Sequence, residues 1–506
     1  MKAIVIIVCC ALLMSLATFG VKAQEGNWSD PVALSGTGPS VWFPSIEADV
    51  YGVIHVAWAE NNAPIDSVMY TNTNDGTTWN TPNDIIAIPQ TRGSEATRPD
   101  LLYNRSSELL HLTYHYYDIY AAEADITQVF DPNQWSQYAL INDPTQNAYY
   151  AVSELDGNFT QHLLATWNRP DPTCGVCYHV FYRQRSIGEK RWSDPVDISQ
   201  ENTGAAKPVL FIDDQDYLHA IWEASDQGGG AYGRVERPSY IVYTRSTDGG
   251  TTWSEPINLG TGVDESRNPA ISQDANGQLI VAWLELPDDE VFYQISTDGG
   301  ETWSEPDTIP GVFGGFTIFA TTLDIYSMAS DSDGNVHLVF VGRTSAGGRY
   351  LELIHVVWNG SEWSNPEIIA SYSGDAPEWP QLEVSNGNIL NVVWFLRDEA
   401  NNWDPDHGNY SIWYSRAVTS STQIEPEQLP TPIPTATEIA VPEMTATSQI
   451  IPTYTVVSTI PSGYIPGKDA VYKETDYLKI VGMTLLPVLA FVVLVVIVVL
   501  YRKRKF

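Results

Sequence analysis

Hydrophobic and polar positions alternate along most of the chain in short runs. "FPSIEADVYGVIHVAW" from Phe43 sets the pattern: an extended run, a turn, then a second run that closes on an aromatic. The same pattern returns in "RPDLLYNRSSELLHLTY" (Arg98), "AVSELDGNFTQHLLATW" (Ala151), "KPVLFIDDQDYLHAIW" (Lys207), "NPAISQDANGQLIVAW" (Asn268), "YSMASDSDGNVHLVF" (Tyr326) and "WPQLEVSNGNILNVVW" (Trp379). β-branched and aromatic side chains at period two, punctuated by Gly, Asn and Asp, predict hairpins. Before residue 480 no stretch carries a helical period.

Between these hairpins lies a second repeat. "YTRSTDGGTTWSEP" (Tyr243) and "YQISTDGGETWSEP" (Tyr293) are clean copies, and "YTNTNDGTTWNTP" (Tyr70) is close. "YRQRSIGEKRWSDP" (Tyr182) has lost the Asp, and "VVWNGSEWSNP" (Val356) has a shorter turn. "FDPNQWSQY" (Phe130) and "NWSDP" (Asn27) keep little but the Trp. Asp75, Asp248 and Asp298 are placed to cap their own turns through backbone N–H groups. Trp79, Trp253 and Trp303 fold back as apolar plugs. The motif is therefore read as a structural staple between a third and a fourth strand.

Each unit is then four strands in about 50 to 60 residues, the signature of a propeller blade. The chain opens with only the end of a blade, "NWSDPVAL", and its last unit lacks that end. The N-terminal piece would supply the missing outer strand. The expectation is an all-β, seven-bladed β-propeller closed by this clasp. Six blades plus an irregular segment is the alternative, because the second unit is degenerate.

The chain ends read differently. Residues 1–23 have a lysine, an apolar run and a small-residue finish at Ala23, as a secretory signal peptide does. Residues 25–418 form the globular part, and 419–479 are rich in Pro and Thr, as a stalk is. Residues 480–500 hold no charge and are long enough to span a bilayer. The basic tail 501–506 places the C-terminus in the cytoplasm and the propeller outside, single-pass, at the cell membrane. A cell-wall sorting signal would end similarly, but "YIPGK" is a poor substitute for its usual motif. Cys174 and Cys177, in "PTCGVCYHV", read as a local disulfide in that compartment.

Charge narrows the partners. With 26 Lys+Arg against 62 Asp+Glu, the formal charge of −36 opposes nucleic acid. His55, His111, His219 and His337 share one slot, three before the closing aromatic, which reads as a packing position rather than a metal ring. "DSDGN" at 331–335 lacks the length and closing Glu of a calcium loop. Neither metal nor cofactor is expected.

Ser-x-Asp-x-Gly-x-x-Trp is the Asp box, and the chain resembles the Asp-box (BNR-repeat, sialidase-like) propellers over about residues 28–415. In the sialidase members three Arg grip a sugar carboxylate, a Tyr assisted by a Glu is the nucleophile, and an Asp is the acid/base. Here Trp42 stands where the first Arg belongs. By resemblance, Arg98 and Arg267, Tyr326 in "IYSMA", and Glu265 are the catalytic candidates; no acid/base Asp is identified. The long polar loops opposite the Asp-box turns carry Arg169, Arg237, Arg343 and Arg397 as binding candidates. The expected function is binding of glycans or surface proteins through that long-loop face. The alternative is an exo-sialidase-type glycoside hydrolase. A structural surface-layer part, which would self-assemble, is a third reading.

Overall fold

A computed structural model describes residues 28–38, 40–62, 64–90, 97–169, 177–199, 203–230, 235–261, 265–315, 324–398 and 409–428. The expected signal peptide, most of the stalk, the expected span and its basic tail lie outside the described residues. Among the described residues no helix is long and apolar enough to cross a membrane.

Seven antiparallel sheets follow one another in chain order, so the seven-bladed propeller is realised and the six-bladed alternative is not. Blade 1 comprises Val41–Ala48, Ile54–Asn62, Ile65–Thr73 and Asn83–Pro89, from the inner to the outer strand. Blades 2 to 6 occupy 99–140, 148–197, 204–259, 265–308 and 313–371. The degenerate second unit is a full blade. Blade 6 departs from the pattern: Phe313–Gly314 and Ser327–Ser330 both pair with Val336–Arg343, so its inner strand comes in two pieces.

Blade 7 holds Asp375–Ser385, Ile389–Asp398 and Tyr410–Val418, and its outer strand is the N-terminal Val32–Ala33. Val32 pairs with Tyr414 and Ala33 with Trp413, which is the clasp the sequence predicts. The closing aromatics Trp58, Trp222, Trp283 and Trp394 are fully buried on the second strands.

The blades are joined by one repeated contact. The Asp box works as expected within its own turn: Asp248 Oδ1 accepts the Thr252 N–H at 2.8 Å, and Asp298 Oδ1 that of Thr302 at 2.9 Å. Its second Gly and its Trp, however, face the preceding blade. A Cβ on Gly250 would collide with the Tyr182 hydroxyl, and one on Gly300 with that of Tyr243. Trp253, Trp303 and Trp79 meet Tyr182, Tyr243 and Tyr414 edge-on at 5.1, 5.0 and 4.8 Å between ring centroids.

Tyr414 is held from behind by Asn391 Oδ1 at 2.7 Å, and the equivalent tyrosines of blades 1, 3 and 4 are held by histidines. Tyr70, Tyr182 and Tyr243 Oη lie 2.6, 2.7 and 2.8 Å from Nδ1 of His55, His162 and His219. Nε2 of these His residues faces Asp49, Asp156 and Asp213 at 3.2, 3.3 and 3.2 Å. The expected packing slot is therefore an internal Asp–His–Tyr chain. The slot rule misses His162; the aspartate six residues earlier would have found it. In blade 6 Asp331 plays this part, 3.0 Å from His337 and bonded to the Asn335 N–H, so "DSDGN" is a capped hairpin turn. Between blades 2 and 3 the contact is altered: Trp192 is buried, but it lies 5.5 Å from the Arg185 guanidinium. Arg185 crosses instead to Glu123 at 3.1 Å and to His111 at 2.9 Å.

The chain does not leave the propeller at residue 419. Thr419, Ile424 and Glu427 donate backbone N–H bonds to Asn388, Asn386 and Val50, at 2.9, 2.8 and 2.8 Å. Residues 419–428, stalk by composition, thus run over the hairpin turns of blades 6, 7 and 1.

The inter-blade contact gives a paired test. Gly249 and Gly300 both have positive φ, but a Cβ on Gly249 meets nothing. Gly249→Ala is expected to cost about 1 kcal/mol from the backbone alone. Gly300→Ala is expected to cost about 3 kcal/mol, because it also displaces Tyr243. Chemical denaturation of both variants measures the difference.

Candidate functional site

The strands of a blade are antiparallel, so the inner strands begin on the face opposite the Asp-box turns. They surround a cavity of ≈ 600 Å³ to which every blade contributes, through Ser45, Asp100, Ser153, Val209, Ala270, Ser327 and Gln381. At the leading ends of five of these strands the ladder slips: between Trp42 and Ser45, Ala148 and Ala151, Ala206 and Val209, Arg267 and Ala270, and Glu378 and Gln381. A bulge re-aims the side chain that it carries. Phe43, Lys207, Asn268 and Trp379 sit there with φ of 52°, 49°, 54° and 56°. Bulky residues held in the left-handed region are strained, and such strain gathers at functional sites.

These ends carry a ring of charged and aromatic side chains. The Arg98 guanidinium lies over Phe43, Tyr149 and Tyr150, at 4.4, 4.8 and 5.1 Å from the ring centroids. Trp379 stacks on Tyr150 at 9° and meets Phe43 edge-on. Lys207 is buried; its Nζ donates to Asn268 Oδ1 at 2.6 Å and to the Asp324 carbonyl at 2.7 Å, and lies 3.2 Å from Glu223 Oε1. Burial pushes the Lys207 amine below its ordinary value, against the pull of Glu223. Glu223 also takes Arg267 Nη1 at 3.2 Å and the Asn268 N–H at 2.8 Å.

The candidate residues separate on this map. Glu265 and Arg267 are joined, since Arg267 Nε bonds Glu265 Oε1, and Arg237 reaches Glu265 Oε2 at 2.6 Å. Arg397 pairs with Glu378, and Arg343 with Asp289. Arg169 pairs with Asp197 at 2.9 Å beside a separate ≈ 430 Å³ cavity, away from the ring. Arg98 alone of these arginines has no carboxylate partner among the described residues.

Tyr326 is buried against Phe340, and its hydroxyl, next to Gly314, has no hydrogen-bond partner among the described residues. Burial raises it well above the ordinary phenol range. It is thus not brought to Glu265, the candidate assistant. Cys177 is buried and disulfide-bonded, while Cys174 lies outside the described residues. Among the described residues no group of His, Cys, Asp and Glu is arranged to hold a metal.

Sequence reasoning missed Lys207, Asp324, Glu378 and Trp379 as site residues. For Lys207, Phe43, Asn268 and Trp379 a signal existed: each precedes a proline near the start of an inner strand, as Arg98 does. Deeper in the cavity stand Glu47, Asp100, Glu154 and Glu383. Burial pushes Asp100 up to about 7, and Glu154 and Glu383 up to about 8. Glu47 is raised well above its ordinary value by burial and by the other three.

The BNR repeat-like domain family matches residues 175–389. No curated protein matches the chain. A PL25 polysaccharide lyase, an ulvan lyase bound to -[GlcA(1-4)Rha3S]-, is 12% identical; the match covers 76% of this chain and 95% of that one, with a TM-score of 0.50. A protein of unknown function from Dyadobacter fermentans is 13% identical, over 78% of this chain and all of that one, with a TM-score of 0.46. A mutant of the NanB sialidase of Streptococcus pneumoniae is 11% identical over 78% of this chain and 71% of its own, with a TM-score of 0.43. The resemblance to BNR-repeat, sialidase-like propellers stands, and at these identities it concerns the fold.

The cavity carboxyls set a pH dependence. A carboxyl whose folded-state pKa is raised contributes stability that is fully present below its unfolded value, near pH 4, and lost as pH rises through the folded value. For Asp100, Glu154 and Glu383 that window runs from about pH 4 to 8. The melting temperature is expected to fall between pH 5 and pH 8.5. Glu154→Gln/Glu383→Gln should flatten that slope, as thermal unfolding at constant ionic strength would show; an unchanged slope would refute the assignment.

Proposed function

We propose that this protein is a glycan-binding propeller presented at a cell surface, and that the ring at the leading ends of the inner strands holds an acidic saccharide. One observation carries the reading: Arg98 is poised over three aromatic faces without a carboxylate partner among the described residues. Every other candidate arginine is already paired. A guanidinium with a free edge takes a carboxylate or sulfate in two parallel hydrogen bonds. The surrounding rings offer the apolar faces on which sugars stack. Presentation at the surface rests on the leader and the apolar span read from the sequence.

The hydrolase alternative asks more of this site. Arg267 is held by Glu223 and Glu265, and Tyr326 is packed on Phe340, so neither a trio of free arginines nor a carboxylate-assisted tyrosine stands in its favour.

The test uses the full chain in detergent against a panel of sialylated, uronate and sulfated glycans, with neutral glycans as controls. Binding confined to the acidic members is expected, with a loss of about tenfold or more in Arg98→Ala and in Trp379→Ala. Equal affinity for neutral glycans, or affinity unmoved by both substitutions, would refute the reading. Release of sugar that disappears in Tyr326→Phe would instead establish the hydrolase.

A further inference from the structure

Two carboxyl groups in the ring have an oxygen that the protein leaves unused. Asp324 Oδ1 accepts the Trp379 backbone N–H at 3.1 Å, whereas Asp324 Oδ2 is buried with no hydrogen-bond partner among the described residues. Glu378 bonds Arg397 through Oε1, and its Oε2 is likewise buried without a partner among the described residues. The nearby ammonium does not serve Asp324 Oδ2. Lys207 has three protons, and they face Asn268 Oδ1, the Asp324 carbonyl and Glu223 Oε1.

An ionised carboxylate with one oxygen buried and left without a hydrogen bond is costly. A neutral carboxyl group avoids that cost and becomes a donor. Since Oδ1 must stay an acceptor for the Trp379 N–H, the proton belongs on Oδ2.

We propose that Asp324 is the ring's hydrogen-bond donor, directing an Oδ2 proton at an oxygen of the bound acidic saccharide. The inference rests on the reading of the ring as an acidic-saccharide site. Arg98 in blade 2 supplies the charge, and Asp324, just ahead of blade 6's Ser327–Ser330 strand, supplies a neutral donor. A second fixed cation would bind any anion; a neutral donor adds direction, and so selects which oxygens are held.

Burial and the neighbouring Glu378 push the Asp324 carboxyl up to about 8, with Lys207 pulling the other way. The charged groups acting on it are Glu378 of blade 7 and Lys207 of blade 4; Arg397 pairs with that Glu378, Glu223 joins Lys207 to Arg267 and Glu265 of blade 5, and Tyr326 stands two residues further along the chain. Glu378 is itself raised by burial, against Arg397. Above about pH 8 Asp324 loses its proton, and the donor becomes a charge that repels the anion.

The experiment measures affinity of the full chain in detergent for sialyllactose and a galacturonate trisaccharide between pH 6 and 9.5. Wild type, Asp324→Asn, Asp324→Ala and Arg98→Ala are compared. Wild-type affinity should be level to about pH 7 and fall about tenfold per pH unit well above pH 8. Asp324→Asn, which keeps a donor, should match wild type at pH 6.5 and lose the fall; Asp324→Ala should be weak throughout. An alanine variant that binds like wild type, or an asparagine variant with the wild-type pH profile, overturns the proposal while leaving the binding reading intact if Arg98→Ala still fails.

Should neither probe bind wild type, the binding reading fails. The carboxyl is then read without ligand, by the infrared band of a protonated side chain at pH 6.5. A part of the band lost in Asp324→Asn, beside the part left by Asp100, Glu154 and Glu383, supports a neutral Asp324. Identical bands in the two proteins overturn the proposal.

Discussion

The fold depends on one requirement: each sheet must cover both faces, and in a ring only its neighbours can do so. The covering contact is specific. A tyrosine from one blade presses its hydroxyl against the second Gly of the next Asp box, and the Trp of that box meets the ring edge-on. The hydroxyl is in turn fixed by a histidine, and the histidine faces the aspartate of a hairpin turn. Buried polar groups in a closed chain of hydrogen bonds hold a unique geometry. Blade spacing is thereby set from the Asp-box face, and the opposite face is left to vary.

That freedom is spent at the ring. Bulges put Phe43, Lys207, Asn268 and Trp379 in left-handed backbone at the leading ends of the inner strands. Acids and bases crowd there, so most of the cations are consumed by pairing. Lys207, Glu223, Arg267, Glu265 and Arg237 make one connected network across blades 4 and 5. Among the described residues Arg98 escapes, because its neighbours there are aromatic rings rather than carboxylates. Its availability reflects the blades on either side more than its own position.

Much of the fold was legible because it is written locally. Asp248 and Asp298 act on turns four residues long, and the N-terminal clasp follows from counting half-blades. The split inner strand of blade 6 was not, since Phe313–Gly314 pairs with a strand far along the chain. The site was harder for the same reason. Arg267 and Glu223 lie 44 residues apart, and nothing in either segment announces that they pair. Arg98 was picked out because it precedes a proline; Lys207 and Trp379 share that context and were read only as the first letters of a hairpin. Tyr326 matched a short motif, but its hydroxyl turns toward Gly314 rather than to a carboxylate.

The segment 419–428 has a mechanical meaning. It crosses the turns of blades 6, 7 and 1, bonding Asp331 through Ser421, Asn386 through Ile424 and Val50 through Glu427. The ring of blades is closed within blade 7, where an outer strand only two residues long, from the start of the propeller, pairs with Tyr410–Val418. A pull at residue 428 is therefore borne first by this strap's bonds to three blades, not by that two-residue pairing. The strap also lies on the Asp-box side. The ring of Arg98, Lys207 and Trp379 lies on the opposite face.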